Sequence, residues 1–95
     1  MEAPVLGAVA RLFRVLSDES RLRVIETLAL GREMCVSDIS QLLGLSLTSV
    51  SHHLSKLEDM GFITHHQKGQ HVYHVISDDC IMDVLTRARE HVSRV

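Results

Sequence analysis

Aromatic and cysteine side chains are scarce in this chain of 95 residues, which contains no Trp, one Tyr, two Phe and two Cys. Cys35 and Cys80 lie far apart and make no disulfide framework, which is typical of a protein of the reducing cytoplasm. The chain also lacks an apolar run of about 18 residues and a signal-peptide pattern, so we predict neither a membrane span nor export. It has no short-spaced nucleophile–base pair, no Gly-rich phosphate loop and no HExxH motif, and we therefore expect no enzyme.

Charge of one sign is scarce as well, since the formal net charge is −2 at pH 7. This value argues against a protein that coats nucleic acid non-specifically, because such binding grows with the number of phosphates neutralised. It does not exclude specific DNA binding, because the distribution of charge matters more than its sum. Six of the seven histidines lie between His52 and His74. We therefore predict that any affinity for DNA falls as the pH rises from about 6 to 8.

The most informative pattern present is Ser37–Asp59, which contains two short helical patterns joined at Gly44 and Ser46. Gly44 tolerates the left-handed conformation that ends a helix, and the Ser46 hydroxyl can accept from the free amides of the next helix. The first apolar stripe consists of Ile39, Leu42 and Leu43. The second consists of Val50, Leu54 and Leu57, at i, i+4 and i+7. This arrangement predicts a helix-turn-helix whose second helix is offered to a DNA major groove.

The remaining elements surround this pair. A first helix begins near Pro4, and Ser17–Ser20, which includes Asp18, ends it and caps a second helix that ends at Gly31. Residues flanking Lys68–Gly69 predict a β-hairpin. Ser77–Asp79 caps a last helix. The chain is therefore predicted to be a single domain, residues 1–95, mainly α with a small β-hairpin wing. Its predicted winged helix-turn-helix order is α-α-α-α(recognition)-β-β-α. Both terminal helices are apolar on one face, so together they form the predicted dimer surface.

Polar side chains are predicted to occupy the face of the recognition helix opposite its apolar stripe. They are Thr48, Ser49, Ser51, His52, His53 and Lys56. Hydroxyls and imidazoles can bond phosphates or base edges, and the Lys56 ammonium suits a phosphate. At the wing tip, Lys68 and Gln70 are predicted to touch neighbouring phosphates or the minor groove. A winged helix that serves protein interaction only would need an apolar outer face here, so double-stranded DNA is the favoured partner.

Four segments in order resemble the ArsR/SmtB family of metal- and stress-responsive repressors over nearly the whole chain. They are LSDESRLRVIETL, EMCVSDIS, SLTSVSHHLSKLEDMGFI and GQHVYHVISDD. The resemblance implies a homodimer that represses an operon by covering its operator, an imperfect palindrome, and that releases the DNA when an effector binds.

The resemblance implies two positions for a metal site, the first at the start of the third helix. In EMCVSDIS, Cys35 and Asp38 occupy ligand positions of the family's metal-box motif. Ser37 stands where arsenic and cadmium sensors carry a second thiol, and residues 1–13 contain no Cys or His. Cys35 alone cannot form a soft-metal cage, and a buried free thiol is more often a packing residue.

The second position lies on the last helix, where the zinc-sensor motif of the family aligns with Asp78, Cys80, His91 and Arg94. The first three can bind Zn²⁺ or another transition metal, whereas Arg94 cannot, so a fourth ligand would come from water, Glu90 or elsewhere. Cys80 and His91 are about 16 Å apart along one helix, so one copy cannot chelate with both. Two antiparallel copies can pair Asp78 and Cys80 with the partner's His91. A metal held there would bridge the dimer and act as its effector.

Other interpretations of these residues stay open. Asp78 can cap the last helix, His91 can complement its C-terminal dipole, and Cys80 can pack. Alternatively, Cys80 at a helix N-terminus is a candidate redox-sensing thiol with Cys35 as its partner, if the two lie within disulfide reach. The chain can also be a repressor that responds to no effector.

Overall fold

A computed structural model describes all residues 1–95 as five helices and three short strands. The helices are α1 Ala3–Leu16, α2 Glu19–Gly31, α3 Val36–Leu43, α4 Leu47–Asp59 and α5 Asp79–Arg94. The strands are β1 Glu33–Met34, β2 Ile63–Lys68 and β3 His71–Ile76. The predicted fold class is confirmed, since α3 and α4 form the helix-turn-helix and β2–β3 form the wing.

Short polar side chains begin three of the helices, as the sequence predicted. The side chain of Asp18 accepts from the Arg21 amide at 2.9 Å, and that of Ser46 accepts from the Ser49 amide at 3.0 Å. Asp78 accepts from the Cys80 amide at 2.8 Å. Each bond satisfies one of the free N–H groups of a first helical turn, which contributes about 1 kcal/mol. The caps therefore fix where α2, α4 and α5 begin.

The sheet contains one strand more than the sequence predicted. Its order is β1-β3-β2, and both pairs are antiparallel. β1 has only two residues, too few to show an alternating pattern, so the order predicted from sequence lacked it. The wing turn is Gly69–Gln70, and Gly69 takes a φ of +62°. A positive φ at the first central residue is characteristic of a tight hairpin turn that favours Gly.

The core lies between α2, α4, β2 and the first turn of α5. It consists of eleven buried side chains, namely Leu16, Val24, Ile25, Leu28, Ile39, Val50, Leu54, Leu57, Phe62, Ile63 and Ile81. The predicted stripe of α4 is confirmed, since all three of its members are buried. The prediction was wrong for Leu42, which is 67% exposed. Leu42 lies about 100° around α3 from Leu43, which does pack against the core.

The two terminal helices leave apolar side chains uncovered. Leu16 is the buried residue of α1 and Ile81 that of α5. The side chains of Val5, Leu6, Phe13 and Val92 are each half or more exposed. Between α2 and α5 lies an apolar groove of about 600 Å³. No helix of the structure is both long enough and apolar enough to span a membrane.

Candidate nucleic-acid interface

The outward face of α4 is polar and accessible. Thr48, Ser51, His52 and Lys56 are exposed there, and Ser49 is half-buried in the first turn. The same face contains Ser55, which the sequence prediction omitted although it lies one turn beyond Ser51 and His52. The buried stripe on the opposite side holds the helix in place, since burying each Val or Leu contributes about 1.5–3 kcal/mol. The face therefore presents hydroxyl, imidazole and ammonium groups on a fixed support.

His53 does not lie on this outward face, so its predicted place there among the DNA-facing side chains was wrong. Its side chain is 6% exposed. With about 100° per residue, His53 lies about 40° around α4 from Leu57 and about 60° from Val50. It therefore belongs beside the core, and a finer reading of the helical period would have placed it there.

Inside the protein, His53 bonds to Arg21, which is itself 8% exposed. The Arg21 Nε lies 3.3 Å from the His53 Nδ1, and an Arg21 Nη donates to the Val15 carbonyl at 2.8 Å. On the other side of the ring, the His53 Nε2 lies 3.5 Å from the Ser49 Oγ. Burial lowers the pKa of His53, and the adjacent Arg21 guanidinium opposes protonation further, against the opposing field of Asp18. His53 is thus a neutral internal group that connects α2 with α4.

The wing carries the second predicted group of DNA contacts. Gln70 is exposed at the turn, and the Lys68 ammonium lies 2.6 Å from a Glu33 oxygen. The Lys68 hydrogen bond lowers the pKa of Glu33, and the Glu33 carboxylate raises the pKa of Lys68. Lys68 also lies 5.7 Å from the centre of the Tyr73 ring. The predicted phosphate-binding cation is therefore already paired with a carboxylate of β1.

The histidines of the wing fall into different environments rather than one basic patch. His65 pairs with Glu58, and the His66 Nε2 lies 3.1 Å from Glu33. His74 is 8% exposed, and its Nδ1 has no hydrogen-bond partner. Burial lowers the pKa of His74, so it resists protonation. The two buried histidines, His53 and His74, therefore resist the protonation on which the predicted pH dependence of DNA affinity relies.

The candidate metal ligands do not converge within one chain. Asp78 caps α5, while Cys80 and His91 are exposed near its opposite ends. Cys35 is buried at the start of α3, with its Sγ 3.7 Å from the Ser37 Oγ, and Asp38 is exposed. No group of three or more His, Cys, Asp or Glu side chains is placed to hold a metal ion.

Comparison with known proteins identifies the family. Residues 18–65 match the family described as "Bacterial regulatory protein, arsR family". The chain is 35% identical over 78 residues to the cadmium resistance transcriptional regulatory protein CadC of Listeria innocua, covering 82% of this chain and 66% of CadC. It is 31% identical over 87 residues to a CadC homolog of Staphylococcus aureus, covering 92% of this chain and 72% of that protein. This chain thus spans just under two thirds of the Listeria protein.

A solved structure supports the same assignment. It is the homodimeric winged helix-turn-helix DNA-binding domain Mb0332 from Mycobacterium bovis, described as a possible ArsR-family transcriptional regulator. It is 26% identical to this chain with a TM-score of 0.85, and the match covers 96% of this chain and 83% of that domain. The family contains DNA-binding regulators rather than enzymes, as the missing catalytic motifs led us to expect. The chain belongs to the arsR family of bacterial regulatory proteins and has its winged helix-turn-helix fold.

Proposed function

We propose that this chain is a homodimeric transcriptional repressor that binds double-stranded operator DNA and releases it when an effector binds. The observation that carries the proposal is the polar outward face of α4, held against the core by a buried apolar stripe. A recognition helix of this kind enters the major groove, and a two-fold dimer reads half-sites about 34 Å apart. An imperfect palindrome is therefore the expected operator.

The contacts divide into two groups. Thr48, Ser51, His52 and Lys56 of α4 face the groove, with Ser49 at the start of the helix beside the DNA backbone. We add Ser55 to this group because it is exposed on the same face. At the wing, Gln70 is free to reach DNA, and Lys68 reaches a phosphate by exchanging its Glu33 partner.

The test is a selection of duplexes from random-sequence DNA by the wild-type protein. Binding is then measured by fluorescence anisotropy against a scrambled duplex of equal length and composition. We expect a two-fold symmetric sequence to be enriched and to bind at least about a hundredfold more tightly than the scrambled duplex. If no sequence is enriched, the chain is instead a winged-helix module for protein interaction.

We further propose a transition-metal ion, Zn²⁺ or a related ion, as the effector. Its ligands would be Asp78 and Cys80 of one subunit and the His91 of the partner subunit. Two observations support this arrangement: Cys80 and His91 are exposed, and the two CadC relatives carry names of cadmium resistance regulators. The second candidate position, Cys35 and Asp38, offers one buried thiol and one exposed carboxylate, which is a poorer donor set.

Variants at the two positions separate these sites. Cys80→Ser and His91→Ala should abolish zinc-induced release of the selected duplex while leaving binding by the metal-free protein unchanged. Cys35→Ser is the matched thiol control and should release the selected duplex on addition of zinc as the wild type does. Release by both α5 variants would exclude the α5 site. Release by peroxide but not by zinc, lost in Cys80→Ser, would establish the redox-responsive alternative instead.

A further inference from the structure

A series of hydrogen bonds connects the end of α1 with the start of α4 through Arg21, His53 and Ser49. The proposed DNA contacts do not explain why this series exists. Arg21 contacts the Val15 carbonyl and His53, and His53 contacts Ser49. Both Arg21 and His53 are more than nine-tenths buried. A buried guanidinium needs its hydrogen bonds satisfied, so these contacts are part of how the structure tolerates its charge.

The direction of each hydrogen bond follows from the chemistry of Arg21. A guanidinium is always protonated and has no acceptor, so its Nε–H can only donate. The Nδ1 of His53 must therefore accept, and a neutral imidazole then carries its single proton on Nε2. That Nε2–H points to the Ser49 Oγ, 3.5 Å away, so the hydroxyl oxygen is the acceptor. This last bond is long and is the weakest of the chain.

The hydroxyl proton of Ser49 is left without a partner at the end of this series of hydrogen bonds. With its oxygen accepting from His53, the Ser49 hydroxyl has its own proton free, since the contact with His53 is the one hydrogen bond that the Ser49 Oγ makes within the protein. Ser49 lies in the first turn of α4, capped by Ser46, where the free amides and the helix dipole favour an anion. The free proton thus lies at a point of the molecule that suits a phosphate oxygen.

We propose that Arg21 and His53 are positioning residues that set the Ser49 hydroxyl as a hydrogen-bond donor to a DNA phosphate oxygen. The inference rests on the proposed function, because it needs α4 to meet DNA. Neither Arg21 nor His53 contacts DNA itself. Because Arg21 also binds the end of α1, the arrangement of α1 is transmitted to this contact through two buried side chains.

Amide substitutions at His53 separate its hydrogen bond with Arg21 from its hydrogen bond with Ser49. His53→Asn keeps an oxygen near the Nδ1 position for Arg21 but leaves nothing to donate to Ser49. His53→Gln places a donor nitrogen near the Nε2 position. On the selected duplex we expect Ser49→Ala and His53→Asn each to weaken binding about tenfold, which corresponds to one hydrogen bond to a charged group, and His53→Gln to weaken it less.

A double-mutant cycle distinguishes positioning from a general structural effect. Ser49→Ala combined with His53→Asn should bind no more weakly than Ser49→Ala alone, because the second change removes nothing further. Ser51→Ala combined with His53→Asn is the matched control. Its loss of affinity for the selected duplex should equal the product of the fold losses of the two single variants, because Ser51 does not contact His53. Losses that multiply in both pairs would overturn the proposal.

Nitrogen-15 NMR of the wild-type imidazoles gives a measurement that does not depend on any variant folding. We expect His53 at neutral pH to carry its proton on Nε2, and a proton on Nδ1 would overturn the proposal. A failed DNA selection is a different result, since it would remove the proposed function while leaving this tautomer unchanged.

Discussion

At the scale of single residues, the Lys68 ammonium is shared between its Glu33 partner and the DNA phosphate of the proposed complex. Lys68 is bound to Glu33 in the free protein, so contact with a phosphate requires this pair to open. We expect Glu33→Gln to tighten binding of the selected duplex about two- to fivefold, because it frees Lys68 and removes a negative charge near the wing. Anisotropy titrations at fixed salt measure this change.

Two controls separate local pairing from net charge. Glu2→Gln makes the same charge change at the exposed start of α1 and should have a smaller effect. In a Lys68→Ala background, the gain from Glu33→Gln should shrink. An equal gain in that background would show that Lys68 is not the group released.

The buried histidines make stability depend on pH. Burial lowers the pKa of His74, opposed in part by Glu58, and it lowers the pKa of His53 as well. The unfolded chain therefore binds more protons than the folded one below the ordinary histidine value of about 6.5. We expect the free energy of unfolding to hold above about pH 7 and to fall as the pH drops from about 6.5 to 5.5. Urea titrations across this range measure it.

His74→Phe tests the contribution of His74 to that effect. The change removes a buried nitrogen without a partner, so the slope with pH should decrease and the unfolding free energy at pH 7.5 should rise by about 1 kcal/mol. His91→Gln replaces an exposed histidine and should leave the slope unchanged. A slope equal to that of the wild type in His74→Phe would contradict the assignment.

At the scale of elements, the junction after α2 holds backbone strain. Arg32 takes a φ of +69°, the positive region that side chains other than Gly rarely adopt. We expect Arg32→Gly to raise the free energy of unfolding by about 1 kcal/mol, because Gly adopts this conformation without the steric penalty. Arg32→Ala is the control for loss of the charged group, since it keeps Cβ. Equal stability of the two variants in urea would contradict the strain.

The elements show how far the sequence predicts this fold. Caps at Asp18, Ser46 and Asp78 and the turn at Gly44 depend on local chemistry, and the structure confirms them. β1 could not be foreseen, because a two-residue strand is defined by its pairing with β3 rather than by any pattern of its own.

The interface was predictable to the extent that it follows helical period. The period separates the outward face of α4 from its buried stripe, and it also places Ser55 outward and His53 inward when applied fully. The bond between Arg21 and His53 joins residues 32 positions apart in sequence, so it depends on how α2 packs against α4. The pairing of Lys68 with Glu33 could not be foreseen either, because it too joins residues far apart in the sequence.

At the scale of the whole molecule, the uncovered faces of α1 and α5 predict self-association. Phe13 on α1 is 55% exposed. We expect Phe13→Glu to convert the proposed dimer to a monomer at micromolar concentration and to weaken binding of the selected duplex at least about tenfold, because each monomer reads one half-site. Sedimentation equilibrium measures the first effect and anisotropy the second.

Leu42→Glu is the matched control for the oligomeric state. Leu42 is also an exposed apolar residue, but it lies on α3 rather than on a terminal helix. This variant should remain a dimer. A dimeric Phe13→Glu would place the interface elsewhere.

The pairing of β1 with β3 restrains the base of the wing, so the hairpin cannot move there as a free loop. β1 is followed by Cys35 alone before α3 begins, so the hairpin is attached at a second point to the helix-turn-helix. Displacing the base of the wing then requires bending a three-stranded sheet or moving α3, because β1 pairs there with His74 and Val75. An arm fixed at its base has less conformational entropy to lose when it docks than a free loop, so its few contacts keep more of their interaction free energy.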